Sequence, residues 1–143
     1  RKLANHGINS MIDVSDGVAS EVRHVCEESG VGALVYSDKI PISKSTINDA
    51  KTLKNSKRIF GAQKISKKFS REIKKDAVDF ALYGGEDYEL VFTAPKNKLK
   101  ELKKYDVAAI GEIVDKKYGI KLIKNNKKHN LESGFDHFKR LRV

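Results

Sequence analysis

Apolar positions along the chain follow two periods, and the switches between them outline the elements. Ser10 to Val14 is short, apolar and β-branched; it reads as a buried strand that stops abruptly at Ser15-Asp16-Gly17. Val18, Val22 and Val25 then fall at i, i+4 and i+7, with Ala19 and Cys26 beside them. That spacing predicts a helix whose polar residues Glu21, Arg23, Glu27 and Glu28 face outward. Ser15 or Asp16 is the expected N-cap and Gly30 the expected stop. Gly32 to Tyr36 reads as a second strand, with Pro41 in the loop beyond it.

From Thr46 the pattern is helical again, with Asp49 as a capping-box partner and Ile47, Ala50 and Leu53 on the inner face. Asn55 to Gly61 breaks it. Ile65, Phe69, Ile73, Val78 and Leu82, set among lysines between Gln63 and Leu82, predict one or two amphipathic helices leading into Gly84-Gly85. Tyr88 to Ala94 is the clearest strand, closed by Pro95, and Asn97 is expected to cap a short helix carrying Leu99 and Leu102. Ala108 to Val114 and Gly119 to Ile123 read as further strands, with a turn at Asn125-Asn126 that pairs the latter with a short strand near Leu131. Strands and helices alternate without strict βαβ regularity. The expected fold class is therefore α+β, a mixed β-sheet with packed helices.

Composition narrows the function classes. A chain of 143 residues that is 39% hydrophobic is one domain with a real core, which excludes wholesale disorder. A single cysteine, Cys26, makes neither an internal disulfide nor a metal site, and favours a reducing, cytoplasmic setting. The longest apolar stretch, around Val31 to Tyr36, is far too short for a membrane span or a signal-peptide core. Twenty-nine Lys and Arg against nineteen Asp and Glu give a net charge of +10, a balance suited to nucleic acid, an anionic membrane or phosphorylated small molecules. The lysines, however, are spread over Lys64 to Lys75, Lys96 to Lys104 and Lys116 to Lys128, the pattern of a solvated surface. The chain starts at Arg1 without an initiating Met, and is expected to be part of a longer protein.

Two stretches could carry chemistry. In Asp13-Val14-Ser15-Asp16-Gly17, two carboxylates flank a hydroxyl at a strand-to-helix turn, beside a glycine that admits close approach. Backbone N–H groups at a helix start favour phosphate oxygens, and hard carboxylates favour Mg²⁺, so the pattern suits a metal–nucleotide complex. A simple N-cap at Asp16 and a hydrogen-bonded strand end at Asp13 account for the same residues. In Tyr83-Gly84-Gly85-Glu86-Asp87-Tyr88-Glu89-Leu90, two glycines run into Glu86, Asp87 and Glu89, which repel one another unless a cation, a donor-rich ligand or water separates them. That stretch reads equally as a site and as a solvated acidic turn.

Taken together and in order, Met11-Ile12-Asp13-Val14-Ser15-Asp16-Gly17, the Gly-Gly-Glu-Asp-Tyr-Glu-Leu run, Ala109-Ile110-Gly111-Glu112-Ile113 and Gly134-Phe135-Asp136-His137-Phe138 carry a resemblance. From about Asn5 to Phe138 the chain resembles the C-terminal half of the thiamine-monophosphate kinase family. That family's superfamily includes aminoimidazole ribonucleotide synthetase and selenophosphate synthetase. The resemblance implies a fold like the C-terminal domain of aminoimidazole ribonucleotide synthetase, with residues 1–143 forming one domain of a two-domain kinase. It implies Mg²⁺ ligation by Asp13 and Asp16, an ATP contact at Ser15, and thiamine monophosphate contacts at Glu86 and Phe135, with Gly84, Gly85 and Asp87 shaping the pocket. It assigns no residue as a catalytic acid or base. It further implies an N-terminal domain of the same polypeptide holding most metal-binding carboxylates and a homodimer interface, so the isolated domain is expected to be inactive. The segment from Ser45 to Lys75 is longer and richer in lysine than the family pattern. Three other readings stand beside this one: a related enzyme with another acceptor; a basic nucleic-acid-binding module, against which the lack of a recognisable nucleic-acid motif argues; and a non-catalytic interaction domain.

Overall fold

The computed structural model describes residues 3, 6–44, 46–48, 77–85 and 89–131. Two sheets and the helices packed on them make up these residues, in agreement with the α+β expectation. In chain order the elements are β1 (Ser10–Asp13), α1 (Val18–Ser29), β2 (Gly32–Tyr36), α2 (Ala77–Tyr83), β3 (Leu90–Thr93), a single-turn α3 (Leu99–Leu102), β4 (Gly111–Val114), β5 (Ile120–Lys124) and β6 (Lys127–Asn130). The larger sheet has the order β4-β2-β5-β6 and is mixed: β2 and β5 run parallel, whereas β4 on β2 and β6 on β5 are antiparallel. The smaller is an antiparallel ribbon of β1 and β3, in which Asp13 stands opposite Leu90 and Ser10 opposite Thr93.

The core forms where α1 lies over β2 and β5. Ala19, Val22 and Cys26 from the helix meet Ala33 and Val35 from β2, Leu122 from β5, and Ile40, Leu82 and Leu131. Leu82 is fully buried, a burial worth roughly 1.5–3 kcal/mol by area removed from water. Helix α1 ends as its sequence predicts: Gly30 adopts the left-handed conformation (φ 65°), and the Val31 N–H reaches back to the Cys26 carbonyl at 2.9 Å. The Asn125-Asn126 turn is equally legible. Both residues have positive φ (52° and 60°), the geometry whose twist matches a two-residue hairpin, and it pairs Lys124 with Lys127.

Several local expectations need correction. Strand β1 is only half-buried, with Met11 and Asp13 exposed, because among the described residues it pairs with β3 alone and only one face is covered. The first residue of α1 follows Gly17, which takes the cap position itself; neither Ser15 nor Asp16 makes a side-chain cap. Glu27 and Glu28 face solvent as expected, but Glu21 is 2% exposed, and Arg23 is half-buried, its guanidinium donating to the Leu131 carbonyl. The helical turn near Thr46 starts earlier than expected: the Ser43 hydroxyl accepts from the Thr46 N–H at 3.1 Å, which makes Ser43 the cap. Asn97 caps nothing, since Lys96–Lys98 already forms a 3₁₀ turn leading into α3. The expected partner Asp49 and the helices between Gln63 and Asp76 lie outside the described residues.

One contact ties the start of the chain to α3. The His6 Nδ1–H donates to Glu101 Oε1 at 2.6 Å, and His6 Nε2 lies 2.8 Å from the Tyr105 hydroxyl. This hydrogen bond from His6 holds the Glu101 carboxyl below its ordinary range, with Lys98 adding to the effect.

Candidate functional site

The two chemistry-bearing stretches, about seventy residues apart in sequence, meet at one end of the β1–β3 ribbon. Beyond the last ladder pair the Val14 N–H donates to the Glu89 carbonyl at 2.8 Å, so the ribbon continues into both motifs. Two glycines then let the backbones touch. Gly17 has φ 92°, and a Cβ there would stand 2.7 Å from the carbonyl oxygens of both Leu82 and Gly84. Gly85 faces the opposite way: a Cβ on it would come within 2.6 Å of the Ser15 carbonyl oxygen. Any side chain at either position would force the turn and the end of α2 apart. The strand-to-helix turn is thus keyed into the α2–β3 connection by residues from both motifs.

This keying decides what the turn presents. Asp13, the last residue of β1, is exposed, as is Ser15; Asp16 is half-buried. From inside the turn a fourth group, Glu21, reaches back from the first part of α1. Its Oε1 accepts from the Ser15 hydroxyl at 3.3 Å and from the Asp16 backbone N–H at 3.3 Å, while Oε2 accepts from His24 Nδ1 at 3.1 Å. Glu21 thus faces inward, contrary to the outward expectation. A usable signal was present, because position 21 lies three residues after Val18 and four before Val25, on the apolar stripe itself.

The structure therefore brings Asp13, Ser15 and Asp16 together on one turn and sets Gly84 and Gly85 against it. Glu86, Asp87 and Phe135 lie outside the described residues, although Gly85 and Glu89, on either side of 86–88, are both held against the Val14–Ser15 backbone. Among the described residues no group of three or more His, Cys, Asp or Glu side chains is arranged to hold a metal ion. What the turn offers is two carboxylates and a hydroxyl, all hard oxygen donors. Such a set fits Mg²⁺, which commonly takes one or two protein carboxylates and completes its shell with phosphate oxygens and water. It does not make a closed, all-protein cage. Cys26 has no part in it: the thiol is buried in the core, and that burial pushes its pKa up and keeps it protonated.

Exposed lysines gather on two other parts of the described structure. Lys96, Lys100, Lys103 and Lys104 line the α3 region, and Lys116, Lys117, Lys127 and Lys128 lie around β5 and β6, all exposed. Several lysines cover tyrosine rings, as Lys39 does Tyr36 at 4.3 Å from the ring centre. Among the described residues, no helix is long and apolar enough to cross a membrane.

Comparison with known proteins bears on the family and the fold. The chain is 36% identical over 138 residues to the thiamine-monophosphate kinase of Haemophilus influenzae, covering 90% of this chain and 35% of that protein. It is 33% identical over 137 residues to the enzyme of the same name from Buchnera aphidicola, covering 91% of this chain and 36% of that one. The chain thus spans about a third of the length of the curated relatives it matches. Among solved structures, AaThiL complexed with AMPPCP and TMP superposes with a TM-score of 0.63 at 26% identity, covering 96% of this chain and 36% of that one. The thiamine-monophosphate kinase of Stenotrophomonas maltophilia superposes with a TM-score of 0.56 at 29% identity, covering 81% and 31%. With residues 1–123 matching the family model "AIR synthase related protein, C-terminal domain", the chain belongs to that family.

Proposed function

We propose that this chain is the C-terminal domain of a thiamine-monophosphate kinase, which transfers the γ-phosphoryl group of ATP to the phosphate of thiamine monophosphate and yields thiamine diphosphate. The observation that carries this reading is the keyed turn: Gly17 and Gly85 lock the Asp13–Asp16 segment against the connection that leads into Glu86. Named relatives support it, as does the AaThiL complex with AMPPCP, an ATP analogue, and TMP. In the reaction an oxygen of the acceptor phosphate bonds to the γ-phosphorus while the bond to the ADP oxygen breaks. The acceptor is already an anion, so no strong general base is required. The physical difficulty is bringing two polyanions into line.

Each residue has a part in solving that. Asp13 and Asp16 would hold Mg²⁺ at the turn, and Ser15 would contact the nucleotide. Bound there, Mg²⁺ would supply neutralisation of phosphate charge and alignment of the acceptor and leaving oxygens. Glu86 and Phe135 would take thiamine monophosphate, Phe135 by packing on its ring. Gly85 and Glu89 are anchored beside Ser15 and Val14, which supports a reading in which Glu86 would work close to the nucleotide, as transfer between the two substrates requires. The remaining ligands are assigned to an N-terminal domain of the same polypeptide, which would also form a homodimer. Alone, the domain would be inactive. A cytoplasmic setting belongs to the same reading, since its one cysteine is a free, buried thiol.

The test is an acceptor panel offered to the full-length polypeptide with labelled ATP and Mg²⁺. Label should pass to thiamine monophosphate and not to aminoimidazole ribonucleotide precursors or selenide. Transfer to another acceptor in the panel, with none to thiamine monophosphate, would replace this assignment.

A further inference from the structure

The turn that carries Asp13, Ser15 and Asp16 is gripped from two sides, and only one grip is made by the glycines. On the other side, the Ser15 hydroxyl and the Asp16 backbone N–H converge on a single oxygen, Oε1 of Glu21. Glu21 is 2% exposed. A carboxylate buried to that degree is costly unless its oxygens are occupied, and here Oε2 is taken by His24 while the start of α1 contributes its positive dipole end. If packing alone mattered at this position, a leucine would serve better, since it continues the stripe of Val18, Val22 and Val25 without a desolvation cost. A charged group here has work to do on the turn.

We infer that Glu21 is a positioning residue for the nucleotide: it fixes the Asp16 backbone and points the Ser15 hydroxyl proton inward. With that proton committed to Glu21, the lone pairs of Ser15 Oγ are left to face the ligand, so Ser15 meets it as an acceptor. This suits a hydroxyl placed beside a cation better than one donating to a phosphate oxygen. The inference rests on the kinase reading above. It extends that reading to a residue that touches neither substrate and acts only through Ser15 and Asp16.

Three substitutions in the full-length polypeptide test it. Glu21→Leu removes both acceptor oxygens at similar volume, Glu21→Gln keeps one, and Ser15→Ala removes the hydroxyl. Supporting groups of this kind typically change affinity by about 10- to 100-fold when lost. Glu21→Leu is expected to raise KM for Mg–ATP by that factor while KM for thiamine monophosphate stays within about twofold, with Glu21→Gln in between. In the double variant Glu21→Leu/Ser15→Ala the two losses should be clearly less than multiplicative, because both remove the Ser15–Glu21 contact. The Asp16 amide resonance in ¹⁵N-labelled protein should move in Glu21→Leu and Glu21→Gln whether or not substrate is present. If Glu21→Leu does not fold, Glu21→Gln carries both readouts. An unchanged Asp16 amide, an unchanged KM for Mg–ATP, or an equal rise in both KM values overturns the inference. Failure of the parent protein to phosphorylate thiamine monophosphate would instead contradict the kinase reading, while the amide shift still tests the role of Glu21 in the turn.

Discussion

The two sheets of this domain are built on different terms. The four-stranded sheet is centred on β2, whose Gly32, Ala33 and Val35 are buried, and it supplies Ala33, Val35 and Leu122 to the core beneath α1. The two-stranded ribbon is short, alternates exposed and half-buried residues on β1, and leaves Met11 and Leu90 open. Yet the candidate chemistry sits at the end of the ribbon, and the sheet carries none of it. The sheet holds the helix, the helix holds Glu21, and Glu21 holds the turn. The sheet reaches the turn through α1, whereas the glycines and Glu21 grip it directly, so substitutions can pull stability and site geometry apart.

Gly17→Ala should do the most damage, because it strikes both. The positive φ and the collisions with Leu82 and Gly84 together predict a loss of about 3 kcal/mol in unfolding free energy. Misplacement of the turn should also lower phosphoryl transfer by about 100-fold. Urea unfolding and steady-state assays of the full-length polypeptide measure the two effects. Leu122→Ala sharpens the contrast from the other side. A truncation in the large sheet should cost about 2–4 kcal/mol of stability, yet leave turnover per folded molecule unchanged. A selective fall in turnover there would show that the two sheets are not separable.

Smaller effects lie further from the site. Asn126→Gly, at a left-handed position in the β5–β6 turn, should raise the unfolding free energy slightly, by roughly 0.5 kcal/mol or less, as measured by urea unfolding. Glu101→Gln tests the tie to His6. The folded-state pKa of Glu101 is lowered, so its contribution to stability is present above the ordinary value of 4.5 and is lost as pH falls through the lower folded value. The urea midpoint of the parent should therefore fall on the acid side more than that of Glu101→Gln. Both groups are near the surface, and added salt should shrink the difference.

Much of this was legible from local pattern. The valine spacing of α1, the Gly30 stop, the Asn-Asn turn and the apolar run of β2 each follow from short-range physics, and the structure agrees with them. The meeting of Asp13–Gly17 with Gly84–Gly85 is a long-range event that no window of residues contains; the glycines announced close approach without saying to what. Glu21 was misplaced for a different reason. Its position on the stripe points inward while its charge points outward, and the turn's N–H and O–H groups, which satisfy the charge, let the spacing win. The half-exposure of β1 could not be read either, because an apolar strand does not reveal how many neighbours its sheet will have.

Under the proposed kinase reading, the keyed turn at Asp13–Asp16 would hold the nucleotide. Asp16→Asn in the full-length polypeptide tests it most directly, with transfer from ATP to thiamine monophosphate and the urea midpoint measured on the same preparation. The account predicts that transfer falls by at least about 100-fold while stability changes by less than about 1 kcal/mol, since the Asp16 backbone contact to Glu21 survives the change. Transfer at the parental rate in a folded Asp16→Asn protein would contradict it.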